Sequence, residues 1–137
     1  MEKYKFIDDL TSDVMFEAYG KDLKEVFANA AEAMFTVICH IKKVRPEKSI
    51  VIEAEAENAG KLMIAWLQEL IAAVDTEGMF FSKFDIQEIS EKHVKAKCWG
   101  EPVSPEKGGT VVKAVTYYKF LFEKAAQGYK TRVAMDI

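Results

Sequence analysis

The sequence predicts an α+β protein, a two-layer sandwich in which two helices pack on one face of a mixed β-sheet of about six to seven strands. Two segments repeat apolar residues at helical spacing, and most of the remaining chain alternates apolar and polar residues as strands do. The predicted order is two strands, a helix, a strand, a helix and four strands. No linker or internal repeat interrupts the 137 residues, so we expect one domain, residues 1–137.

The first two strands are predicted at Tyr4–Ile7 and Val14–Tyr19, with a polar turn over residues 8–13 between them. In the second strand, Val14, Phe16 and Ala18 occupy one face, and Met15, Glu17 and Tyr19 occupy the other. Gly20 ends this strand.

Both helices have recognisable ends. The first is predicted from Asp22 to about His40, because Asp22 and Glu25 form a capping box ahead of an apolar stripe. The second begins at Asn58 and ends before Gly78, a residue that commonly terminates helices.

Five further segments alternate as strands. They are Ile50–Glu57, Met79–Ile89, Lys92–Trp99, Val112–Lys124 and Tyr129–Ile137. We expect the last two to form a hairpin across Gln127-Gly128. Chain ends usually lose order, so a strand pattern that continues to Ile137 raises the question of what this end contributes.

Composition excludes several functions. With 22 acidic and 19 basic residues the net charge is −3, which gives no electrostatic basis for direct nucleic-acid binding. No apolar run reaches the ~18 residues of a membrane span. Cys39 and Cys98, without an apolar N-terminal segment, favour reduced thiols and a cytoplasmic location.

Familiar catalytic and zinc motifs do not fit this chain. A zinc site can be drawn from Cys39, His40, His93 and Cys98, but the spacing matches no zinc pattern. No serine lies in a G-x-S-x-G turn, and the glycine pair at 108–109 lacks the G-x-x-x-x-G-K pattern of a phosphate loop. No pairing of nucleophile and base is recognisable, so we expect a protein that is not an enzyme.

Carboxylates are concentrated at two places. Asp8, Asp9 and Asp13 share one six-residue turn, and Asp136 adjoins the α-carboxylate of Ile137. Such a turn by itself is typical of a solvated Asx-rich loop. If the sheet brings both groups together, their oxygens would repel unless they are protonated or bridged by a cation, and hard oxygen ligands suit Ca²⁺ or Mg²⁺.

Five stretches resemble the archease family in the family's order. They are "DLTSDVMFEAYGKDLKEVFANAAEAMF", "WLQELIAAVDTEGMFFSKF", "GEPVSPEKG", "VKAVTYY" and "RVAMDI". Together they span nearly the whole chain. Leu10 and Tyr118 stand where the family usually has His, so this chain offers no imidazole at these two positions.

The resemblance implies a function and a site. Archeases are small non-catalytic cofactors of the RtcB-type tRNA-splicing RNA ligase, whose guanylylation by GTP and multiple turnover they promote. The family's divalent-metal site, occupied by Ca²⁺ in structures, corresponds here to Asp13, Asp136 and the C-terminal carboxylate of Ile137. Lys113, in "VKAVTYY", matches a family lysine near that site.

Two other functions stay open at this point. One is a small metal-dependent hydrolase or transferase with Asp13 and Asp136 as metal ligands. The other is a general chaperone of RNA-processing enzymes, which would stabilise several clients.

Overall fold

The structure is a computed structural model that describes residues 2–8 and 13–137. Within these residues the chain forms seven strands and two α-helices, in the predicted order. The elements are β1 (Tyr4–Ile7), β2 (Val14–Gly20), α1 (Leu23–Ile38), β3 (Lys48–Glu55), α2 (Ala59–Glu77), β4 (Met79–Ile89), β5 (His93–Pro102), β6 (Ala114–Ala125) and β7 (Gly128–Asp136). The predicted turn lies largely outside the described residues.

The α+β class is confirmed, whereas the strands are arranged differently from the single mixed sheet that was predicted. They form two antiparallel sheets, one with the order β1-β2-β7-β6 and the other with the order β3-β5-β4. Each helix contacts both sheets, α1 through β2 and β4, and α2 through β3 and β6. The helices therefore join two sheets rather than covering one face of a single sheet.

The predicted helix ends agree closely with those in the structure. Asp22 accepts a hydrogen bond of 2.9 Å from the Glu25 backbone N–H and caps α1, and Asn58 caps α2 in the same way. Gly78 ends α2 in the left-handed conformation. The first helix stops at Ile38, before the predicted His40, because the extended Cys39 forms an isolated bridge with Gly108.

One apolar core connects the helices and both sheets. Trp66 of α2 is fully buried, and its indole N–H donates to the Phe27 carbonyl of α1 at 3.1 Å. Because a buried indole needs a hydrogen-bond partner, this bond fixes the two helices against each other. Neither helix has the uninterrupted apolar length that crossing a bilayer requires.

Both cysteines are buried free thiols. Burial raises the pKa of each thiol to about 12, so both are protonated at neutral pH. A buried protonated thiol behaves as a small hydrophobe and is neither a nucleophile nor a metal ligand.

Candidate functional site

Strand pairing brings the first and last parts of the chain together. β2 runs antiparallel to β7, with Val14 opposite Met135 and Phe16 opposite Val133. Asp13 immediately precedes Val14, and Asp136 immediately follows Met135, so the two aspartates lie at the same corner of the sheet.

β6 completes this corner, which consists of Asp13, Asp136, Ile137 and Lys113. Ala114 lies opposite Asp136, and the Lys113 backbone N–H donates to the Asp136 carbonyl at 2.8 Å. Asp136 is exposed, and Ile137 is 40% exposed. Ile137 is therefore not packed in the core.

Asp136 lies on the face of the sheet that points away from α1. Phe16 and Val133 point into the core beneath α1. Strand alternation therefore puts Asp136 on the opposite face, together with Glu17 and Arg132. We call this the outer face of the four-stranded sheet.

The donor chemistry of the corner fits a hard divalent cation. Two aspartates and an α-carboxylate supply anionic oxygens, the ligands that Ca²⁺ and Mg²⁺ prefer. No group of three His, Cys, Asp or Glu side chains in residues 2–8 and 13–137 is arranged to hold a metal ion. The corner contributes two such side chains, so its third ligand would be the α-carboxylate of Ile137. Asp9 and Leu10 lie outside the described residues.

A buried carboxylate occupies the middle of the outer face. Glu17 is 6% exposed. The Tyr19 hydroxyl donates to its Oε1 at 2.9 Å, and Arg132 Nε donates to its Oε2 at 3.0 Å. Burial raises the pKa of Glu17, but the hydrogen bonds from Tyr19 and Arg132, together with the charges of Lys130 and Arg132, lower it more, and the pKa ends below its ordinary value. Burial and the adjacent carboxylate raise the pKa of Tyr19.

Sequence reasoning placed Glu17 on one face of a predicted strand with Met15 and Tyr19, and it missed this cluster. The pattern gives no indication that Arg132, 115 positions away, is its cross-strand partner. The pair could have been found only after the β2–β7 register was known.

Glu17→Gln should lower the free energy of unfolding by about 1–3 kcal/mol near pH 7, because Arg132 loses a charged acceptor. The lowered pKa means that the contribution of Glu17 is present above the ordinary value of 4.5 and is lost as the pH falls through the folded-state value. Urea unfolding near pH 7 and near pH 3 should show the difference between wild type and variant shrinking in acid.

The matched control is Glu123→Gln, since Glu123 is exposed on β6 opposite Lys130. It should change stability by only about 0.5 kcal/mol or less. A difference for Glu17→Gln that stays constant down to pH 3 would mean that side-chain shape, and not ionisation, stabilises the cluster.

The fold and the corner define a small α+β domain in which the start of β2 and the end of β7 meet at an acidic edge. The model of the Archease protein family (MTH1598/TM1083) matches residues 4–137, and the chain belongs to that family.

Curated relatives and a solved structure agree with this assignment. The archease of Methanosarcina acetivorans is 39% identical and covers 99% of this chain and 97% of its own length. The archease of Sulfurisphaera tokodaii is 36% identical, with both chains covered completely. The solution structure of Methanobacterium thermoautotrophicum protein 1598 superposes with a TM-score of 0.81 at 33% identity and full coverage of both chains.

A more distant structure supports the fold alone. The crystal structure of a Thermotoga maritima archease, described as a possible chaperone, has a TM-score of 0.66 at 17% identity and covers 96% of this chain and 95% of its own.

Proposed function

We propose that this protein is a non-catalytic cofactor of an RtcB-type tRNA-splicing RNA ligase and promotes the ligase's GTP-dependent guanylylation and multiple turnover. The observation that supports the proposal is the pairing of Val14 with Met135, which brings the adjacent Asp13 and Asp136 to one corner of the sheet. The archease resemblance implies these positions as divalent-metal ligands. Asp13 and Asp136 are 123 positions apart in the sequence, and only the β2–β7 pairing makes them neighbours.

Asp13, Asp136 and the Ile137 carboxylate would hold the cation, with Ca²⁺ as the ion that the resemblance implies. A bound divalent ion supplies a concentrated positive charge and a preference for oxygen ligands. The chain's own contribution is to hold the ligands in place. Asp136 belongs to a strand paired on both sides, and the bond from the Lys113 N–H fixes its carbonyl.

A corner of this kind suits a role as a partner protein. The carboxylates stand at the edge of a paired sheet, so little conformational entropy is lost when they contact another protein. The exposure of Asp136 and Ile137 leaves the corner accessible to a partner's active site.

Catalysis by this protein itself has less support than a role as a partner protein. Both cysteines are buried protonated thiols, and the corner offers metal ligands without an adjacent nucleophile and base. We therefore assign guanylylation to the ligase and positioning to this protein. We expect no direct binding of nucleic acid to the acidic corner.

The test is guanylylation of the host's own RNA ligase by GTP, measured with and without this protein. Asp13→Asn should reduce the stimulation at least about tenfold, because even the loss of a metal's outer-shell partner typically costs ~10–100-fold. The matched control is Asp85→Asn, the same chemical change at an exposed site of the other sheet. It should leave the stimulation intact.

Other outcomes discriminate between the functions. Equal stimulation by wild type and Asp13→Asn would exclude the corner as the active part. Stabilisation of several unrelated RNA-processing enzymes, without an effect on guanylylation, would favour a general chaperone. Turnover of GTP or RNA by the purified protein alone would make it an enzyme.

A further inference from the structure

We propose that the three-stranded sheet carries a second interaction surface, which binds single-stranded nucleic acid. Its centre is Trp99 of β5, on the face of the sheet that points away from the helices. The β5 residues that alternate with Trp99 are Val94, Ala96 and Cys98, and all three are buried in the core. Trp99 itself is partly exposed and lies outside that core. Tryptophan is enriched at binding surfaces because it offers a large apolar ring that water can still reach.

Two lysines lie against the Trp99 ring. Lys97 Nζ is 4.8 Å from the centre of the ring, and Lys83 Nζ is 5.7 Å from it. Lys83 stands directly opposite Trp99 on β4, and Lys97 lies two residues away on β5. Neither lysine forms an ion pair with a described residue. Asp85 lies opposite Lys97 in the register, and the two lysines outnumber it on this face.

On the β3 side, the ring has only a small neighbour. Ser49 stands opposite Trp99, and its side chain is too small to cover an indole ring. Val51, the next residue of β3 on this face, is 53% exposed and lies opposite Lys97. We call these five residues, Ser49, Val51, Lys83, Lys97 and Trp99, the Trp99 face. An accessible aromatic ring bordered by lysines suits a single strand, because a base stacks on the ring and phosphates contact the cations.

The charge around the Trp99 face favours a polyanion, although the whole protein is acidic. Residues 41–51, 80–86 and 96–107 form this end of the sheet. Basic side chains outnumber acidic ones there by seven to four, with Lys42, Lys43, Arg45, Lys48, Lys83, Lys97 and Lys107 against Glu47, Asp85, Glu101 and Glu106. The count is complete for these segments, because the structure describes every residue in them.

Most of the carboxylates near this face already contact basic side chains. At the end of the sheet these contacts are Glu101–Lys107 at 2.8 Å and Glu47–Arg45 at 3.8 Å, and farther along the sheet they are Glu53–His93 at 2.9 Å and Glu88–Lys95 at 3.7 Å. Among the described residues, Lys42, Lys43 and Lys48 have no such partner, and neither has either lysine beside the ring. The local surplus of positive charge is therefore accessible to phosphates.

The Trp99 face is separate from the carboxylate corner. Asp13 and Asp136 lie at the edge of the four-stranded sheet, whereas Trp99 belongs to the central strand of the other sheet. Residues 9–12, which the structure does not describe, connect β1 to β2 and so also adjoin the four-stranded sheet. The nucleic-acid surface thus goes beyond the proposed metal site and does not depend on it.

The experiment is titration of the purified protein with an unstructured single-stranded oligoribonucleotide of about twelve nucleotides, followed by tryptophan fluorescence. EDTA is present and the ligase is absent, so the result is independent of the proposed function. The chain has two tryptophans, and Trp66 is fully buried. Stacking of a base on Trp99 should therefore quench the emission of Trp99 and leave that of Trp66. Saturable quenching is the expected result.

Trp99→Leu should weaken binding about tenfold, because stacking of one base is lost. Fluorescence anisotropy of a labelled oligoribonucleotide measures this affinity without the tryptophan signal. The variant should stay folded, since Trp99 lies outside the core, and circular dichroism checks this. An unchanged affinity would mean that Trp99 only packs against its two lysines.

Lys83→Gln tests the cations without removing the ring. It should weaken binding about three- to tenfold, and the plot of log affinity against log salt concentration should become shallower by about 0.7. The matched control is Lys124→Gln in the other sheet, where Lys124 Nζ lies 5.9 Å from the centre of the Tyr129 ring. This control should leave both the affinity and the salt dependence unchanged.

A DNA strand of the same sequence and the RNA duplex complete the test. A preference for the RNA strand supports contacts to the 2′-hydroxyl, and equal binding of RNA and DNA strands supports a surface that reads only bases and phosphates. The duplex should bind more weakly, because its base faces are stacked inside. The absence of saturable binding to the wild type would overturn the proposal, as would equal binding of strand and duplex or equal weakening by Lys83→Gln and Lys124→Gln.

Discussion

A tag fused after Ile137 should abolish divalent-ion binding and ligase activation together, whereas the same tag at the N-terminus should leave both intact. Peptide bonding turns the terminal carboxylate into a neutral carbonyl and moves the negative charge away from Asp136. The corner would keep its two aspartates but lose the third anionic ligand. Calcium titration by calorimetry and guanylylation of the ligase by GTP are the measurements.

Asp136→Asn should have the same effect as the C-terminal tag. It removes one charge from the cluster and keeps the size of the side chain, while the strand pairing depends on backbone atoms that do not change. Full activity of the tagged protein would exclude Ile137 as a ligand. Full activity of Asp136→Asn as well would exclude a metal ion at this corner.

The element types were predictable because they depend on local pattern. Alternation of apolar and polar residues predicted every strand, and capping residues located both helices to within a few positions. The division into two sheets was not predictable from the same information. It depends on pairings such as β2 with β7, between residues more than a hundred positions apart, and periodicity does not encode which strands pair.

The same limit applies to the charged residues. Asp13 and Asp136 could be predicted as site residues because carboxylates are concentrated near both ends of the chain. That the two lie close together follows only from the β2–β7 register. Nothing in the sequence pattern indicated the buried cluster around Glu17 or the irregular backbone at Lys119. Glu17 occupied an ordinary polar position of an alternating strand, and Lys119 lay inside a continuous predicted strand in which the bulge between Thr116 and Leu121 leaves no local pattern.

Gly100→Ala should prevent stable folding. We expect it to lower the free energy of unfolding more than any other substitution proposed for this chain. Gly100 of β5 pairs with Phe81 of β4. A Cβ at this position would lie 1.7 Å from the Phe80 carbonyl oxygen and 2.9 Å from the Phe81 Cα. These are backbone atoms of the paired strand, so the two strands would have to separate.

The expected loss is about 4 kcal/mol or more out of the ~5–15 kcal/mol that typically stabilise a domain. The matched control is Gly78→Ala at the end of α2. Gly78 has a φ of 62°, and an added Cβ would meet no atom within 4 Å. This change should cost only about 1 kcal/mol, the conformational penalty of an L-residue in the left-handed region. Urea unfolding followed by circular dichroism measures both variants.

The destabilisation caused by Gly100→Ala should also affect the carboxylate corner, although Gly100 lies in the other sheet. α1 packs against β4 on one side and against β2 on the other, so separating β4 from β5 removes support from the helix beneath β2. Any Gly100→Ala protein that remains folded should therefore bind calcium more weakly than Gly78→Ala. Small and equal losses for the two variants would mean that the three-stranded sheet can open locally without affecting the placement of α1 and the corner.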